Sequence, residues 1–331
     1  MANDVRNIAI AGAGLGGLAA AALLARLGHN VRVFDRFDAP APVGSGLMLQ
    51  RTGLAVLDSM GLGADIRGLG QVIERLYGRV QPSGRVVLDV RFDALKSEPF
   101  ALGVQRAAVF DTLLKAALAA GAQLETGVTI GGCAHREGVL LGSGGKTLGS
   151  FDLVVDALGA RSPLSRDPKY ELPYGALWAT LPWPADGPFN ANALEQRYLT
   201  AHQMAGIMPS GGASLGAPPM ATYFWSLKAS RERDWRTRDL DVWRQKAIAL
   251  WPETAPLVDQ ILSHAQMTFA RYRHRTASTP TQGRLVHLGD SWHAASPQLG
   301  QGANMAMLDA YALAQSVKST GDLSAALGRY K

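Results

Sequence analysis

The sequence predicts an α/β fold in which two units interleave along the chain. Three observations carry this. A strand, a glycine turn, a helix and a second strand ending in an acid follow one another over residues 7–35. A second strand, glycine turn and helix stand near the far end, over residues 284–313. Between them, residues 76–96 and 171–269 hold strand-like alternation and short helical patterns.

The first element is the short apolar run Asn7-Ile8-Ala9-Ile10-Ala11, which predicts a buried strand. Gly12-Ala13-Gly14-Leu15-Gly16-Gly17 follows at once. Residues 15–27, rich in Ala and Leu, predict a helix that Gly28 ends. Val31-Arg32-Val33-Phe34 predicts a second strand, closed by Asp35. Together these make the full fingerprint of a Rossmann-like dinucleotide unit. Gly12 permits the tight turn, Gly14 lets the backbone approach a pyrophosphate, and Gly17 lets helix and strand pack closely. Leu15 opens the helix, whose unpaired N–H groups and dipole favour the pyrophosphate charge. Asp35 stands 18 residues after Gly17, near the spacing of an acid that holds a ribose diol. The fingerprint alone does not separate FAD from NAD.

The far end separates them. Arg284-Leu285-Val286-His287-Leu288 predicts a strand that runs into Gly289-Asp290-Ser291-Trp292-His293. Pro297-Gln298-Leu299-Gly300-Gln301-Gly302-Ala303-Asn304 follows, then a helical pattern from Met305 to Leu313. This segment resembles the second FAD motif of the single-component (class A) flavoprotein aromatic hydroxylases, the family of p-hydroxybenzoate hydroxylase. With the N-terminal fingerprint, the resemblance spans the chain. It implies a GR2-type FAD-binding domain interleaved with a sheet-based substrate domain. Asp290 would bond the ribityl chain, Pro297 would lie near the reactive face of the ring, and the backbone of Gly300, Gln301, Gly302, Ala303 and Asn304 would face its pyrimidine edge. Reduced flavin is negative near N(1), and a helix N-terminus there stabilises it.

Other positions resemble the family too. Arg36 follows the ribose acid, near where adenine would lie. Gly44-Ser45-Gly46-Leu47 resembles a Gly-x-Gly segment before a helix at residues 54–60. Val104–Val109 resembles the segment that sets an Arg or Gln beside the flavin, a role that falls to Arg106. Leu124–Val128 resembles the strand whose backbone reaches adenine, at Val128. Two departures stand out. In Asp156-Ala157-Leu158-Gly159-Ala160-Arg161-Ser162, Leu158 replaces the Asp of the family's middle motif, which serves both FAD and NADPH. The chain also stops at Lys331, after a helix-like stretch at residues 323–330, where relatives usually continue; a shortened chain and a short member of the family both fit.

The expected division places residues 1–75, 97–170 and 270–331 in the FAD-binding domain, and residues 76–96 and 171–269 in the substrate domain. In the latter, residues 205–209 and 221–227 predict strands, and residues 242–250 and 256–263 predict helices. This part holds much of the aromatic content, including Trp178, Tyr198, Tyr223, Phe224, Trp225, Trp235, Trp243 and Trp251. Most are expected in the core, and a few in an apolar substrate pocket.

Composition excludes other classes. The single cysteine, Cys133, leaves no internal disulfide and is expected to be a small buried apolar residue. No paired metal spacing occurs among the histidines, and no metal is expected. Net charge is +6, but acids interrupt the basic runs, as in Arg231-Glu232-Arg233-Asp234; the cluster Arg271, Arg273, His274, Arg275 reads as a solvated face, and no nucleic-acid motif is present. No stretch is long and apolar enough for a membrane span, and residues 8–27 lack a signal-peptide context, so a cytoplasmic location is expected. Gly212-Ala213-Ser214-Leu215-Gly216 matches a nucleophile-elbow pattern, but Pro218-Pro219 prevents the helix that elbow needs, so a hairpin loop is expected. Gly142–Lys146 reads as a turn.

The expected function is a FAD-dependent monooxygenase. NAD(P)H would serve as transient electron donor, and a flavin C4a-hydroperoxide would pass one oxygen atom of O2 to a small, aromatic substrate. No catalytic side chain is assigned; His293 and Pro297 are pocket candidates. A FAD-dependent reductase on the same scaffold and a non-catalytic FAD-binding protein are the alternatives.

Overall fold

Strand β1 (Asn7–Ala11), helix α1 (Leu15–Arg26) and strand β2 (Asn30–Phe34) form the predicted entry unit in this computed structural model. It describes residues 4–40, 45–94, 100–165 and 170–330. Helix α1 is almost wholly Ala, Leu and Gly and is buried nearly all round, as befits a helix enclosed on every side. Strand β3 (Gly46–Leu49), helices α2 (Arg51–Ser59) and α3 (Gly63–Leu69), and strand β4 (Gln71–Ile73) follow. Strands β5 (Arg75–Val80) and β6 (Val86–Arg91) form a hairpin. Strand β7 (Ala101–Gln105) runs straight into α4 (Arg106–Ala119), then β8 (Gln123–Glu125). Strands β9 (Ile130–Ala134), β10 (Val139–Gly142) and β11 (Thr147–Ser150) make a small antiparallel sheet, with Gly142–Lys146 in its turn.

Strand β12 (Leu153–Asp156) returns beside β1. Four long strands come next: β13 (Tyr170–Pro182), β14 (Ala193–Thr200), β15 (Gln203–Pro209) and β16 (Met220–Lys228). Helices α5 (Glu232–Thr237), α6 (Leu240–Leu250) and α7 (Ala255–Val258) precede β17 (Thr268–His274). The chain closes with β18 (Thr281–Gln282), β19 (Leu285–His287), α8 (Asp290–His293), α9 (Gly302–Lys318) and α10 (Leu323–Arg329). The helix expected over residues 256–263 ends at Val258, because the Gln266 carboxamide takes the N–H groups of Leu262 (2.7 Å) and Ser263 (3.0 Å). The elbow-like residues 212–216 lie in the loop of the β15–β16 hairpin, as expected.

Two large sheets organise the molecule. The first runs β18-β19-β12-β1-β2-β8, parallel except at its β18 edge. The second runs β17-β13-β16-β15-β14-β5-β6, antiparallel except where β14 joins β5. A three-stranded sheet, β3-β7-β4, lies between them in the chain's contacts: Gly46 N–H reaches Thr222 Oγ1 of β16 (3.0 Å), and Gln105 Nε2 reaches Ser210 Oγ after β15 (2.7 Å). Helices α5–α7 cover one face of the second sheet with a core built on Trp225, Trp235, Trp243 and Trp251. No helix among the described residues is long and apolar enough to cross a membrane.

Candidate functional site

Parallel pairing sets Ala11, Asp156 and His287 side by side at the carboxyl ends of β1, β12 and β19. The three strands therefore deliver their next residues to one crevice, where open α/β sheets bind ligands. Gly12 turns there with φ 103°, and a Cβ on it would stand 2.5 Å from the Ala157 carbonyl oxygen. A Cβ on Gly17 would strike the Gly12 carbonyl oxygen. A Cβ on Gly14 would meet nothing within 4 Å. Gly12 and Gly17 thus serve packing, while Gly14 borders open space.

The second glycine turn arrives at the same place. A Cβ on Gly16 would lie 2.8 Å from Leu288 and 3.0 Å from Ala306, so the starts of α1 and α9 pack side by side. Neither helix has a side-chain cap or an acid in its first turn. The first N–H groups of a helix have no partner within it, so both ends present positive partial charge to the crevice. The 300–304 turn is lashed in place from behind. Asn304 is fully buried and bonds Gln50 N–H (2.9 Å), the Met48 carbonyl (3.1 Å) and the Gly300 carbonyl (2.8 Å). Gln301 Nε2 donates to Gln50 Oε1 (2.6 Å). A Cβ on Gly302 would lie 3.7 Å from Asp290 Oδ1, so this turn and Asp290 stand together. Pro297 is exposed and opens a short turn ahead of it.

Charged residues stand at both ends. Asp35 Oδ2 accepts from Ala13 N–H (2.7 Å), which ties the acid to the first turn. A carboxylate has about four acceptor sites, so Asp35 keeps capacity for further donors. Arg36 is exposed beside it. Val128 gives its N–H to the Asp35 carbonyl (2.8 Å), so its own carbonyl is the group left to reach outward. At the other end, Asp290 and Arg106 are both open to solvent, yet protein rings them on the remaining sides. Burial raises the Asp290 carboxyl above its ordinary range, against the opposing pull of Arg106 and His293. Gly44 lies outside the described residues.

Beneath the crevice is a buried polar hub. Asp156, fully buried, accepts from Ser162 Oγ (2.6 Å) and Leu158 N–H (3.1 Å) and bonds His287 Nδ1 (2.8 Å). Asp156 therefore holds the turn together and does not stand in for the missing motif acid. Leu158, at that position, is half-buried among apolar side chains near Phe34 and Phe151. Arg275 departs from the solvated-face expectation. It is 1% exposed and donates to the carbonyls of Ser291 (3.4 Å) and Ser165 (3.3 Å). Cys133 is half-buried rather than buried, and burial pushes its thiol up to about 11.

His293 bonds Asp309 Oδ2 through Nε2 (2.6 Å), on the α9 side. Burial pulls its pKa down, but the hydrogen bond and charge of Asp309 outweigh that, and the net shift is upward from 6.5. The stabilisation is therefore complete below pH 6.5 and is lost as pH rises through the folded-state value. We expect the melting temperature of the protein to fall on going alkaline from pH 6.5, and the His293→Gln variant to show a flatter profile. Equal slopes in thermal melts across that window would refute the pairing.

Strand alternation sorts the aromatics. Tyr223 and Trp225 point into the helix-covered core, while Thr222 and Phe224 take the other face. Phe224 stacks on Trp178 across the strand pair, with ring centroids 4.8 Å apart. Tyr272 hydrogen-bonds Trp178, and burial pushes its phenol up to about 12 against that bond. On this face a recess of about 270 Å3 is lined by Ser45, Trp178, Thr180, Gln266 and Thr268. Ser45 accepts from Arg106 N–H (3.4 Å), so the recess adjoins the Arg106–Asp290 end of the crevice. Tyr272, Thr180, Gln266 and Thr268 carry no motif, and only the strand register identifies them.

A sequence model of the family described as "FAD binding domain" matches residues 6–320. A 3-amino-4-hydroxybenzoate 2-monooxygenase of Streptomyces cremeus is 28% identical over 319 residues, covering 92% of this chain and 77% of that protein. A 2-heptyl-3-hydroxy-4(1H)-quinolone synthase of Mycobacteroides abscessus is 28% identical over 333 residues, covering 97% and 84%. Among solved structures, 2-methyl-3-hydroxypyridine-5-carboxylic acid oxygenase superposes with a TM-score of 0.84 at 22% identity, over 99% of this chain and 86% of that one.

Proposed function

This chain belongs to the FAD binding domain family of class A flavoprotein aromatic hydroxylases and is a FAD-dependent monooxygenase; from that premise we propose that it uses NAD(P)H and O2 to hydroxylate a planar, oxygen- or nitrogen-bearing aromatic ring held against the Trp178–Phe224 face. The observation that carries the reading is the pair of uncapped helix starts, α1 and α9, opening side by side on one crevice.

In this reading residues 1–75, 97–170 and 270–331 form the FAD-binding domain, and residues 76–96 and 171–269 form the substrate domain. The residues fit the cofactor. Gly14 leaves room for a diphosphate and the start of α1 supplies N–H groups to it. Asp35 holds the adenosine ribose, with Arg36 and the Val128 carbonyl toward adenine. Asp290 and Arg106 hold the ribityl chain. The backbone at Gly302 and Ala303 offers partial positive charge to the anionic edge of the ring. FAD, when bound, supplies hydride acceptance and oxygen activation. The chain's part is placement and dryness: Trp178, Phe224 and Tyr272 shield the face where oxygen transfer must escape water. Support for the substrate class comes from the relatives, a monooxygenase of a hydroxybenzoate and a synthase of a hydroxyquinolone.

The test is NAD(P)H oxidation and O2 uptake by the purified yellow protein across a panel of hydroxylated benzoates, pyridines and quinolones. At least one should give product carrying one oxygen atom from O2. If neither NADH nor NADPH reduces the flavin with any of them, the proposed donor is wrong. Reduction with no oxygen incorporated would instead favour a reductase. In the same assay Asp290→Ala should bind FAD about tenfold or more weakly, the loss of one charge-assisted hydrogen bond. An unchanged FAD affinity, measured by flavin fluorescence, would remove Asp290 from the site.

A further inference from the structure

We propose that the protein has a second small-molecule site, on the far face of the seven-stranded sheet, that takes a planar aromatic carboxylate. A cavity of about 320 Å3 lies there, between the ends of β15 and β16 and helices α5 and α6. That is the lower end of the size range of ligand pockets, about 300–1,000 Å3. Trp225 and Leu227 line it from the helix-covered face, opposite to Phe224, and Ser226 and Lys228, which share the parity of Phe224, line it where β16 ends. Lys228, also lining it, is six residues along β16 from Thr222, about 20 Å at the rise of a strand. The sheet separates Trp225 and Leu227 from the recess at Ser45 and Trp178, and the length of the strand separates Lys228 from it.

Its walls are flat. Trp243 meets Trp225 and Trp235 edge to face at 6.1 and 6.3 Å, and Tyr174 packs on His202 at 5.8 Å. Its polar groups are lopsided toward donors. Lys228 and Lys246 line it, and no carboxylate among the described residues pairs with either. The lining acids are already engaged. Asp234 binds Arg238 (2.8 Å) and Arg231 (3.6 Å), and Asp239 caps α6 through Asp241 N–H (2.9 Å). Trp235 and Trp243, 7% and 5% exposed, leave their indole N–H groups without an acceptor, as does the Gln203 amide. Burying such donors unpaired is unfavourable, and every unmatched group named here is a donor or a cation. A ligand that complements this wall brings acceptor oxygens carrying negative charge and a flat apolar body of one or two rings.

The probe is 4-iodobenzoate on the FAD-loaded protein. In soaked crystals an iodine anomalous peak should stand in the cavity between the tryptophans and the two lysines. In solution the acid should quench tryptophan fluorescence saturably while leaving the flavin absorption spectrum unchanged, since a ligand at the flavin face alters that spectrum. The Lys228→Ala/Lys246→Ala double variant should weaken this binding about tenfold or more, and neutral 4-iodobenzamide should not saturate. The proposal is overturned by iodine found only beside the flavin, by equal affinity in the double variant, by equal binding of the amide, or by binding at crystal concentration only. Both lysines lie outside the crevice, so FAD content and turnover of the double variant check that it is folded.

Discussion

Gly17→Ala is expected to cost the protein both stability and flavin. The added methyl would run into the Gly12 carbonyl oxygen, a backbone atom held by the turn between β1 and α1. Backbone cannot move aside as a flexible side chain can, so α1 must shift away from the sheet. Overpacking of this kind costs about 1–3 kcal/mol and occasionally more, and the shift also carries the N–H groups of α1 out of position. Urea denaturation should show a lower midpoint, and the purified protein should be nearly colourless. Gly14→Val is the instructive contrast. Its φ of −71° suits any residue, and its side chain would enter open space. This variant should fold as stably as the parent without cofactor, yet bind FAD poorly, because the isopropyl group takes the room of the diphosphate. If Gly14→Val binds FAD normally, the diphosphate does not lie there. If Gly17→Ala is as stable as the parent, the close approach of α1 to the turn is unimportant.

The second large effect is expected at Asp156. Asp156→Ala takes the carboxylate partner from the Ser162 hydroxyl, the Leu158 N–H and the fully buried His287 ring. Losing hydrogen bonds to a buried charged group costs about 1.5–3 kcal/mol each, so a loss of about 3 kcal/mol or more is expected from equilibrium unfolding. Asp156→Asn keeps the shape and one acceptor oxygen and should recover part of it. Flavin affinity should fall less than stability in both, since Asp156 is fully buried beneath the crevice. A variant with full stability and weak FAD binding would reverse that assignment.

These positions show how much was legible beforehand. Gly12, Gly14, Gly17 and Asp35 are local: their roles follow from a turn, a helix start and a strand end within 30 residues, and the pattern can be read without knowing the rest. The same holds for Gly289–Asn304. What could not be read is whatever depends on which way a strand faces. Tyr223, Phe224 and Trp225 are consecutive, and a one-residue change of register would exchange core for pocket. Arg275 misled for a related reason. Its neighbours Arg271 and Arg273 reach Glu232 and Glu171 at the surface, and only the return of the chain past Ser165 and Ser291 encloses the third arginine. The structural role of Asp156 was not legible either, because the sequence does not show that β19 brings His287 beside it.

The side-by-side starts of α1 and α9 also bear on how the enzyme is made. Gly12–Gly17 leaves the ribosome long before its partner turn, Gly300–Asn304. A nascent polypeptide that has not yet released α9 has the diphosphate turn but neither Asp290 nor the backbone that meets the ring. Flavin loading is thereby deferred until α9 has emerged, and until then the Ala-rich helix α1 must wait for the neighbour that buries it.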